Sequence, residues 1–417
     1  MAVTSFFLYY RPIPAMLQPS FIQIICRNLA LGAGLLVMPC IADAKPPINK
    51  AVSVRFATFN TSMNRREAGQ LANDLANGRD VQIQKIAAVL QHVRPDVVLL
   101  NEFDSPWISR SVDHFQNNYL SQPQFGNEPI SYKYRYFAKV NTGEPSTVDL
   151  NGDGKVQGPQ DAFGFGFFPG QYGMLVLSNY PILISQAQTF QKFKWSDMPE
   201  AMTPTMPDSG KPYYSAEAWS QLRLSSKSHW IVPIAIGKSA INFITSHPTP
   251  PVFDGPDDHN GCRNHDEIRL VRDMLDPKLG GYLRDDAMRP LPRKRMKHFV
   301  IAGDLNADPN DGDSTGNPVE MLLAHPLVQD PLPESAGAEE AAVAQGGKNK
   351  DHVGSGKFDT GDFNDSAVGN LRIDYVLPSK SLHVINSGVF WPKQGAIGFD
   401  WLDASDHRLV WVDVKAP

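Results

Sequence analysis

The chain has 417 residues, of which 42% are hydrophobic and 20% are charged, and its formal net charge is −5 at pH 7. This is the composition of a globular protein with enough apolar material for one large domain or two modest ones. The acidic balance excludes a global basic field for nucleic acid, and the one concentrated basic run, Arg289 to His298, is either a phosphate-binding segment or a solvated loop.

The amino-terminal segment has the features of an export signal. Arg27 precedes an apolar run from Leu29 to Met38, and Ala42-Asp43-Ala44 then supplies the small residues of a signal peptidase site. We therefore predict a signal peptide over residues 1–44 and a mature chain of residues 45–417 that forms a single domain. The apolar run is too short for a membrane span, so we expect a periplasmic or extracellular protein without a stable span.

Hydrophobic periodicity predicts alternating strands and helices along the mature chain. Strands are expected at residues 52–59, 96–100, 173–179, 241–246, 298–303, 372–377, 383–390 and 408–414. Helices are expected at residues 66–76, 81–93 and 265–275, and loops at residues 197–215 and 334–366. Because strands of the same character resume after each loop, the pattern favours one α/β domain of two packed sheets with helices outside.

The most informative stretch is the apolar run that ends in Gly303-Asp304-Leu305-Asn306. A strand alternates faces with period 2, so Asp304 and Asn306 are expected to point the same way at its open end. A carboxylate beside an amide suits a hard metal ion or a phosphate. The alternative is a strand followed by a turn, since Asp and Asn both favour turns.

Similar polar residues follow or interrupt other apolar runs. Each alone has a structural alternative, such as a turn, a surface acid or a packed loop histidine. An acid inside a strand, however, needs a partner, which makes Asp374 hard to explain as structure alone. The full set of these strand-end residues is Asn60, Glu102, His247, Asp304, Asn306, Asp374, Asp406 and His407.

On these residues the sequence resembles the endonuclease/exonuclease/phosphatase superfamily, the deoxyribonuclease-like hydrolases. The resemblance runs from about Val52 to Val414. Its anchors keep the family's order: Phe59-Asn60, Leu100-Asn101-Glu102, Leu177 to Ile182, Ser246-His247, Gly303 to Asn306, Arg372 to Tyr375, and Ser405-Asp406-His407. It implies a four-layered α/β sandwich of two packed, mainly antiparallel sheets flanked by helices, and a metal-dependent phosphoric ester hydrolase, which the amino-terminal segment predicts to be exported.

The resemblance also implies a role for each residue. Glu102 would be the principal metal ligand, with Asn60 and Asp406 nearby. Asp304 would orient or deprotonate the attacking water, and Asn306 would hold a phosphate oxygen. His407 would contact the phosphate, and Asp374 would orient the His407 imidazole. His247 would lie on the leaving-group side.

Elementary chemistry supports such roles. Mg²⁺, or Mn²⁺ in its place, needs a few carboxylate and carbonyl oxygens and keeps several waters, so Glu102 with Asn60 is sufficient. A neighbouring carboxylate such as Asp374 favours the protonated imidazole of His407, which can then stabilise developing charge.

Asp149-Leu150-Asn151-Gly152-Asp153-Gly154 resembles the start of a calcium loop, with Asp149, Asn151 and Asp153 at the first, third and fifth positions. The twelfth position is Gln160 rather than an acid. The two interpretations are a structural Ca²⁺ site and a turn rich in Asp, Asn and Gly.

A distinctive segment follows His247, and its Arg263 and Asn264 are predicted to open a helix. Because helix starts favour anions, both are candidate contacts for a substrate phosphate. The alternative is helix capping by Asn264 and surface pairing.

The leading hypothesis is a phosphodiesterase or nuclease that uses an activated water, with a phosphate ester as substrate and nucleic acid as one option. Within the same fold, a phosphomonoesterase or a sphingomyelinase-like lipid phosphodiesterase is the alternative. The other classes are a non-catalytic secreted binding protein and a calcium-stabilised surface protein. No protein partner is inferred.

Overall fold

The computed structural model describes residues 53–292 and 296–417. The predicted signal peptide, its cleavage site at Ala44 and part of the basic run (residues 293–295) lie outside the described residues. No helix in the described ranges has both the length and the apolar character needed to cross a membrane.

Strands and helices alternate along the described chain. The strands are β1 (Ser53–Asn60), β2 (Val97–Asn101), β3 (Tyr134–Tyr136), β4 (Met174–Ser178), β5 (Gln188–Thr189), β6 (His229–Ile236), β7 (Ser239–Ser246), β8 (Phe299–Asp304), β9 (Gly361–Asp362), β10 (Asn370–Leu371), β11 (Asp374–Pro378), β12 (Val384–Val389) and β13 (Val410–Lys415). The α-helices are α1 (Gln70–Asn77), α2 (Val81–Val93), α3 (Ile108–Phe115), α4 (Ala216–Gln221), α5 (His259–Leu275), α6 (Pro318–Leu323) and α7 (Ala336–Gln345). Short 3₁₀ turns lie at Pro159–Asp161, Ile184–Gln186, Trp195–Asp197, Leu279–Tyr282, Gly347–Lys350, Gly356–Phe358 and Phe399–Ala404, with a π turn at Gln116–Leu120.

Two mixed sheets contain the longer strands. One has the order β12-β13-β1-β2-β4-β3, and the other has the order β11-β8-β7-β6-β5. Each sheet is antiparallel except for one central parallel pair, β1 with β2 in the first and β7 with β8 in the second. A parallel pair requires a crossover connection, which α2 supplies in the first sheet and α5 in the second.

The two sheets pack face to face, and helices cover their outer faces. Val54 and Phe56 of β1 join Val300 and Ala302 of β8 in a common core between the sheets. The alternate residues point outward, so that Ala57 and Phe59 pack with the buried side chains of α2. On the other side, Phe299 and Ile301 pack against α5. Both faces of the central strands are therefore buried, and the predicted α/β sandwich is confirmed.

The sequence prediction missed β6 and α7 and placed the start of α5 too late. Helix α5 begins at His259, six residues before the predicted start, so Arg263 and Asn264 lie inside it rather than at its opening. Helix α7 lies in a segment predicted to be a loop. Its small side chains give little periodicity, but they permit close packing: a Cβ at Gly337 would lie 2.0 Å from the Trp391 carbonyl oxygen.

Gly303 allows β8 to approach β7 closely at the end that delivers Asp304. A Cβ at Gly303 would lie 2.1 Å from the Ser246 carbonyl oxygen, a distance that requires the backbone to move. We expect Gly303→Ala to lower the free energy of unfolding by about 1–3 kcal/mol, as overpacking in a close-packed core does. Urea denaturation measures this change.

Gly281→Ala is the matched control, because nothing lies within 4 Å of a Cβ built there. Its unfolding free energy should stay within about 0.5 kcal/mol of the wild-type value. Equal urea midpoints for the two variants would contradict the packing constraint at Gly303.

Candidate active site

The inward-facing positions of four strands continue into polar residues at one edge of the sandwich. In β1 and β8 the core residues Phe56 and Ala302 alternate onward to Asn60 and Asp304. In β11, Asp374 precedes the inward Val376 by two residues, and it pairs directly with Asp304 in the β8–β11 register. His247 directly follows the end of β7 and lies four residues after the inward Phe243. The site is thus the polar end of the inter-sheet core.

The Asn60 side chain joins the two sheets at this edge. Its Nδ2 donates to Glu102 Oε1 at 3.1 Å and to Asp304 Oδ2 at 3.0 Å. Its Oδ1 accepts from the Ser62 amide at 3.1 Å. In this arrangement the amide presents its N–H groups to the two carboxylates and positions them, and its predicted role as a metal ligand stays a prediction.

Asp304 is the buried centre of the site. Besides the Asn60 amide, its Oδ2 lies 3.4 Å from His247 Nε2 and 3.7 Å from His407 Nε2, and its Oδ1 accepts from the Asn306 backbone amide. Burial raises the pKa of Asp304, the His407 charge opposes that rise, and the Asp374 charge adds to it. A carboxylate with a raised pKa beside a cationic imidazole is suited to accept a proton from water.

His407 and Asp374 form a buried pair. His407 Nδ1 donates to Asp374 Oδ2 at 2.9 Å, which leaves Nε2 directed toward Asp304. Burial alone would lower the pKa of His407, but the charges of Asp374 and Asp304 and the hydrogen bond to Asp374 raise it above its ordinary value. The imidazole is therefore protonated at neutral pH and carries the positive charge of this cluster.

His247 is the second buried imidazole, and it is neutral. Its pKa is lowered well below the ordinary value, first by burial and then by the charges of Lys227 and His407. Its Nδ1 is buried without a hydrogen-bond partner among the described residues. The site therefore holds one cationic and one neutral histidine on either side of Asp304.

Glu102 has the features of a ligand for a cation. Its carboxylate accepts from the Asn60 and Asn64 amides, at 3.1 and 2.7 Å. Burial raises the pKa of Glu102, although the charge of His407 opposes that rise. Its backbone has the left-handed φ of 58°, a costly conformation for a residue with a Cβ. A bound divalent ion would stabilise the charged form that burial disfavours, so the donor set fits such an ion.

A second potential ligand group consists of Asp304, Asp374 and His407. Each offers a ligand atom within 4.8 Å of the others, the only such group of three or more in residues 53–292 and 296–417. A metal bound there would compete with the proton that His407 carries, since a ligating imidazole must be deprotonated. On this argument, Glu102 is the better anchor for a metal.

Asp406 and Asn306 lie beside this cluster with contacts of their own. Asp406 is exposed, and its Oδ1 accepts from the Ser62 hydroxyl at 2.8 Å. Asn306 lies beyond the end of β8 with a φ of 51°, so strand alternation does not set its direction. Its Nδ2 donates to the Pro248 carbonyl oxygen at 3.1 Å. The prediction that it would point with Asp304 by alternation rested on a longer strand.

Arg263 and Asn264 have structural contacts instead of the predicted opening to substrate. Arg263 Nε donates to Leu224 O, and its Nη2 donates to the carbonyl oxygens of Phe163 and Arg223. Asn264 is fully buried, and its Nδ2 donates to Thr249 O and Leu305 O. Because these groups bind backbone inside the fold, they hold the loops around the site together, and the predicted phosphate contact is corrected.

In the segment predicted as a calcium loop, backbone amides donate hydrogen bonds to the segment's own Asp and Asn side chains. Asp149 accepts from the backbone amides of Gly152 and Gly154, and Asn151 Oδ1 accepts from that of Asp153. Asp161, one place past the expected twelfth position, accepts from Leu150 N and Gln157 N. Calcium binding at this loop stays a prediction.

Sequence reasoning missed three side chains of the site, namely Asn64, Lys227 and Glu267. Asn64 contacts Glu102 from a segment without regular structure, and no local pattern marks it. Lys227 lies two residues before β6, the strand that the sequence prediction omitted. Had β6 been recognised, Lys227 would have been a candidate site residue, because it is a polar residue beside an apolar strand like the others.

The charge of Asp374 can be tested through the imidazole that it contacts. Asp374→Asn keeps an oxygen opposite His407 Nδ1 but removes the negative charge that raises the His407 pKa. We expect the pKa of His407 to fall, so that deprotonation begins at lower pH. Ring-nitrogen NMR of ¹⁵N-histidine-labelled protein across a pH series measures this shift. The exposed His383 serves as the internal control, and an unchanged His407 titration would refute the pairing.

One protein family model matches most of the chain. A family model described as the endonuclease/exonuclease/phosphatase family matches residues 57–407. No curated protein is significantly similar to the chain in sequence. Similar solved structures include an endonuclease/exonuclease/phosphatase from Beutenbergia cavernae DSM 12333, at 18% identity and a TM-score of 0.48 over 87% of this chain and 72% of that one. Another is a family protein from Leptotrichia buccalis C-1013-b, at 14% identity and a TM-score of 0.44 over 87% of this chain and 99% of that one.

Sphingomyelinase C from Streptomyces griseocarneus is also similar, at 14% identity and a TM-score of 0.45, over 87% of this chain and 99% of that one. The family model spans most of the chain and includes the site residues Asn60, Asp304 and His407. The chain therefore belongs to the endonuclease/exonuclease/phosphatase family.

Proposed function

We propose that this protein hydrolyses phosphate diesters with a divalent metal ion and a water molecule activated by Asp304. Members of the family are typically phosphoric ester hydrolases. The observation that carries the proposal is the position of the buried Asp304 carboxylate, which lies between the Asn60 amide and two histidines in different charge states. This arrangement supplies a proton acceptor, a cation and a neutral imidazole within one cluster.

Asp304 is proposed to take the proton of the attacking water. Its raised pKa makes it a stronger base than a solvated carboxylate, and the Asn60 and Asn306 N–H groups fix its orientation. The charge of the adjacent protonated His407 stabilises the Asp304 carboxylate before reaction and limits the rise in its pKa, so that the group is ionised and ready to accept a proton.

His407 is proposed to stabilise the negative charge that develops on the phosphate. Asp374 holds the imidazole by Nδ1 and keeps it protonated, which leaves Nε2 for the phosphate side. Asn306 donates one N–H to Pro248 O, and its second N–H is proposed to bind a phosphate oxygen. The neutral His247 is proposed to face the leaving-group oxygen.

Glu102 is proposed as the principal metal ligand, with Asp406 and the Asn60 side-chain oxygen, which accepts from the Ser62 amide, as the nearby donors. Family members generally use divalent metals, and a carboxylate with two hard oxygens suits Mg²⁺ or Mn²⁺. When bound, such an ion polarises phosphoryl oxygens as a Lewis acid. The site's own residues supply the proton acceptor and the cationic hydrogen-bond donor.

The proposed substrate class is a phosphate diester. Nucleic acid remains one option within that class, although the net charge of −5 gives no general attraction for duplex DNA, whose binding depends on phosphate neutralisation. A phospholipid diester of the sphingomyelin type and a phosphomonoester are the alternatives that the same site chemistry allows.

Removal of the proposed base or the proposed cation should abolish most of the activity. We expect Asp304→Ala and His407→Ala each to lower kcat on bis(p-nitrophenyl) phosphate by about 100-fold or more, as loss of a preorganised catalytic group does. Steady-state kinetics in Mg²⁺ or Mn²⁺ measures the change. The exposed Asp208→Ala and His383→Ala variants are the controls and should retain wild-type turnover.

The same assay decides between catalysis and binding. Wild-type protein is tested with Mg²⁺, Mn²⁺ and Ca²⁺ against DNA, RNA, bis(p-nitrophenyl) phosphate, a phosphomonoester and sphingomyelin. Hydrolysis of a diester that depends on Asp304 supports the proposal. A wild-type protein that hydrolyses none of them would instead support a non-catalytic binding protein.

We also propose that the protein is exported and that cleavage after Ala44 leaves Lys45 as the first residue. The support is the basic residue, apolar run and small-residue site near the amino terminus. Mass spectrometry of protein recovered from the periplasm or medium of an expressing bacterium should give an amino-terminal peptide beginning at Lys45. Recovery of only the uncleaved chain from the cytoplasm would refute export.

A further inference from the structure

Lys227 is a buried lysine beside the site whose ammonium has few protein contacts. It precedes β6 by two residues and is only 7% exposed. Its Nζ donates to the Pro248 carbonyl oxygen at 3.3 Å, and the same oxygen accepts from Asn306 Nδ2 at 3.1 Å. The ammonium therefore lies next to the amide that is proposed to bind a phosphate oxygen.

The charges around Lys227 belong to the same site. Burial lowers the pKa of Lys227, and the charges of Glu267, Glu102 and Asp304 oppose that effect. After burial, the Lys227 charge is the largest cause that lowers the pKa of His247. These interactions place the ammonium within electrostatic reach of the proposed metal ligand, the proposed base and the neutral imidazole.

Glu267 of α5 holds the backbone that carries Lys227. Its Oε1 accepts from Ser226 N at 2.6 Å and from Ser226 Oγ at 3.1 Å, while its Oε2 accepts from Thr249 N at 2.7 Å. On the other side, the Lys227 carbonyl oxygen accepts from Asn141 N at 2.8 Å. Glu267 thus uses its oxygens on backbone groups and the Ser226 hydroxyl, so it balances the lysine charge without a described hydrogen bond to the ammonium.

We propose that Lys227 is an additional phosphate-binding residue of this site, which contacts a non-bridging oxygen of the substrate beside Asn306. The inference rests on the proposed phosphodiester hydrolysis. An ammonium has three N–H donors, and Lys227 uses one on Pro248. In a buried position the remaining donors form strong charge-assisted hydrogen bonds with a phosphate. Because the Lys227 side chain is already buried and contacts Pro248, it loses little rotamer freedom when substrate binds.

The alternative is that Lys227 only neutralises Glu267 inside the fold. The two roles make different predictions, because a charge-balancing lysine affects stability, whereas a phosphate-binding lysine also affects KM and the binding of free phosphate. Lys238 provides the matched control, since it is exposed and lies just past the opposite end of the same strand.

We expect Lys227→Met to raise both KM for bis(p-nitrophenyl) phosphate and the inhibition constant of inorganic phosphate by about tenfold or more, because one charge-assisted hydrogen bond is lost. Lys238→Met should leave both constants unchanged. Lys227→Arg, which keeps the charge, should bind phosphate more tightly than Lys227→Met does. Each variant is also melted with and without phosphate, so that phosphate binding is measured independently of turnover.

The inference would be overturned if Lys227→Met kept the wild-type KM, the wild-type inhibition by phosphate and the wild-type shift in melting temperature on adding phosphate. If Lys227→Met does not fold, Lys227→Gln and Lys227→Arg decide, and equal phosphate binding by both overturns it. An inactive wild-type protein would count against the proposed hydrolysis instead, while phosphate binding by the wild type and its loss in Lys227→Met would still support the phosphate contact.

Discussion

The Asn60 amide is the contact on which the whole site depends, because it joins the two sheets at their polar edge. It donates to Glu102 from the first sheet and to Asp304 from the second. Both carboxylates are disfavoured by burial, as the raised pKa values of the two groups indicate. The two N–H groups of the Asn60 amide and the nearby cationic His407 offset the cost of burying these two carboxylates close together, since unpaired buried charges are unfavourable.

The second constraint is the register of β8 with β11. Asp304 and Asp374 face each other in that ladder, and His407 lies close to both carboxylates. Two like charges so close would repel each other, and the protonated imidazole compensates that repulsion. The Asp374 carboxylate therefore both orients His407 and raises its pKa. His247 has no such hydrogen bond at its Nδ1 to a carboxylate of the described residues, and its pKa is lowered.

Helix α5 provides the frame behind these groups. Its buried polar side chains Arg263, Asn264 and Glu267 bind backbone atoms of several loops that surround the site. Such buried side-chain hydrogen bonds to backbone rigidify a loop cluster, which a preorganised site requires. The same burial explains why Arg263 and Asn264 contact backbone atoms and do not open to substrate: α5 begins at His259, six residues before its predicted start, so both residues lie inside it.

The sequence by itself determined the α/β class, most long strands and the strand-end residues Asn60, Asp304 and Asp374. Strand periodicity and the position of each polar residue at the end of an apolar run are local properties, and a sequence displays local properties directly. Only the tertiary structure decided which of these residues meet, how Asn306 turns beyond the strand, and that Lys227 and Glu267 lie beside them. Those facts depend on strand register and burial, which arise from contacts between residues far apart in the chain, so the local pattern around one residue does not specify them.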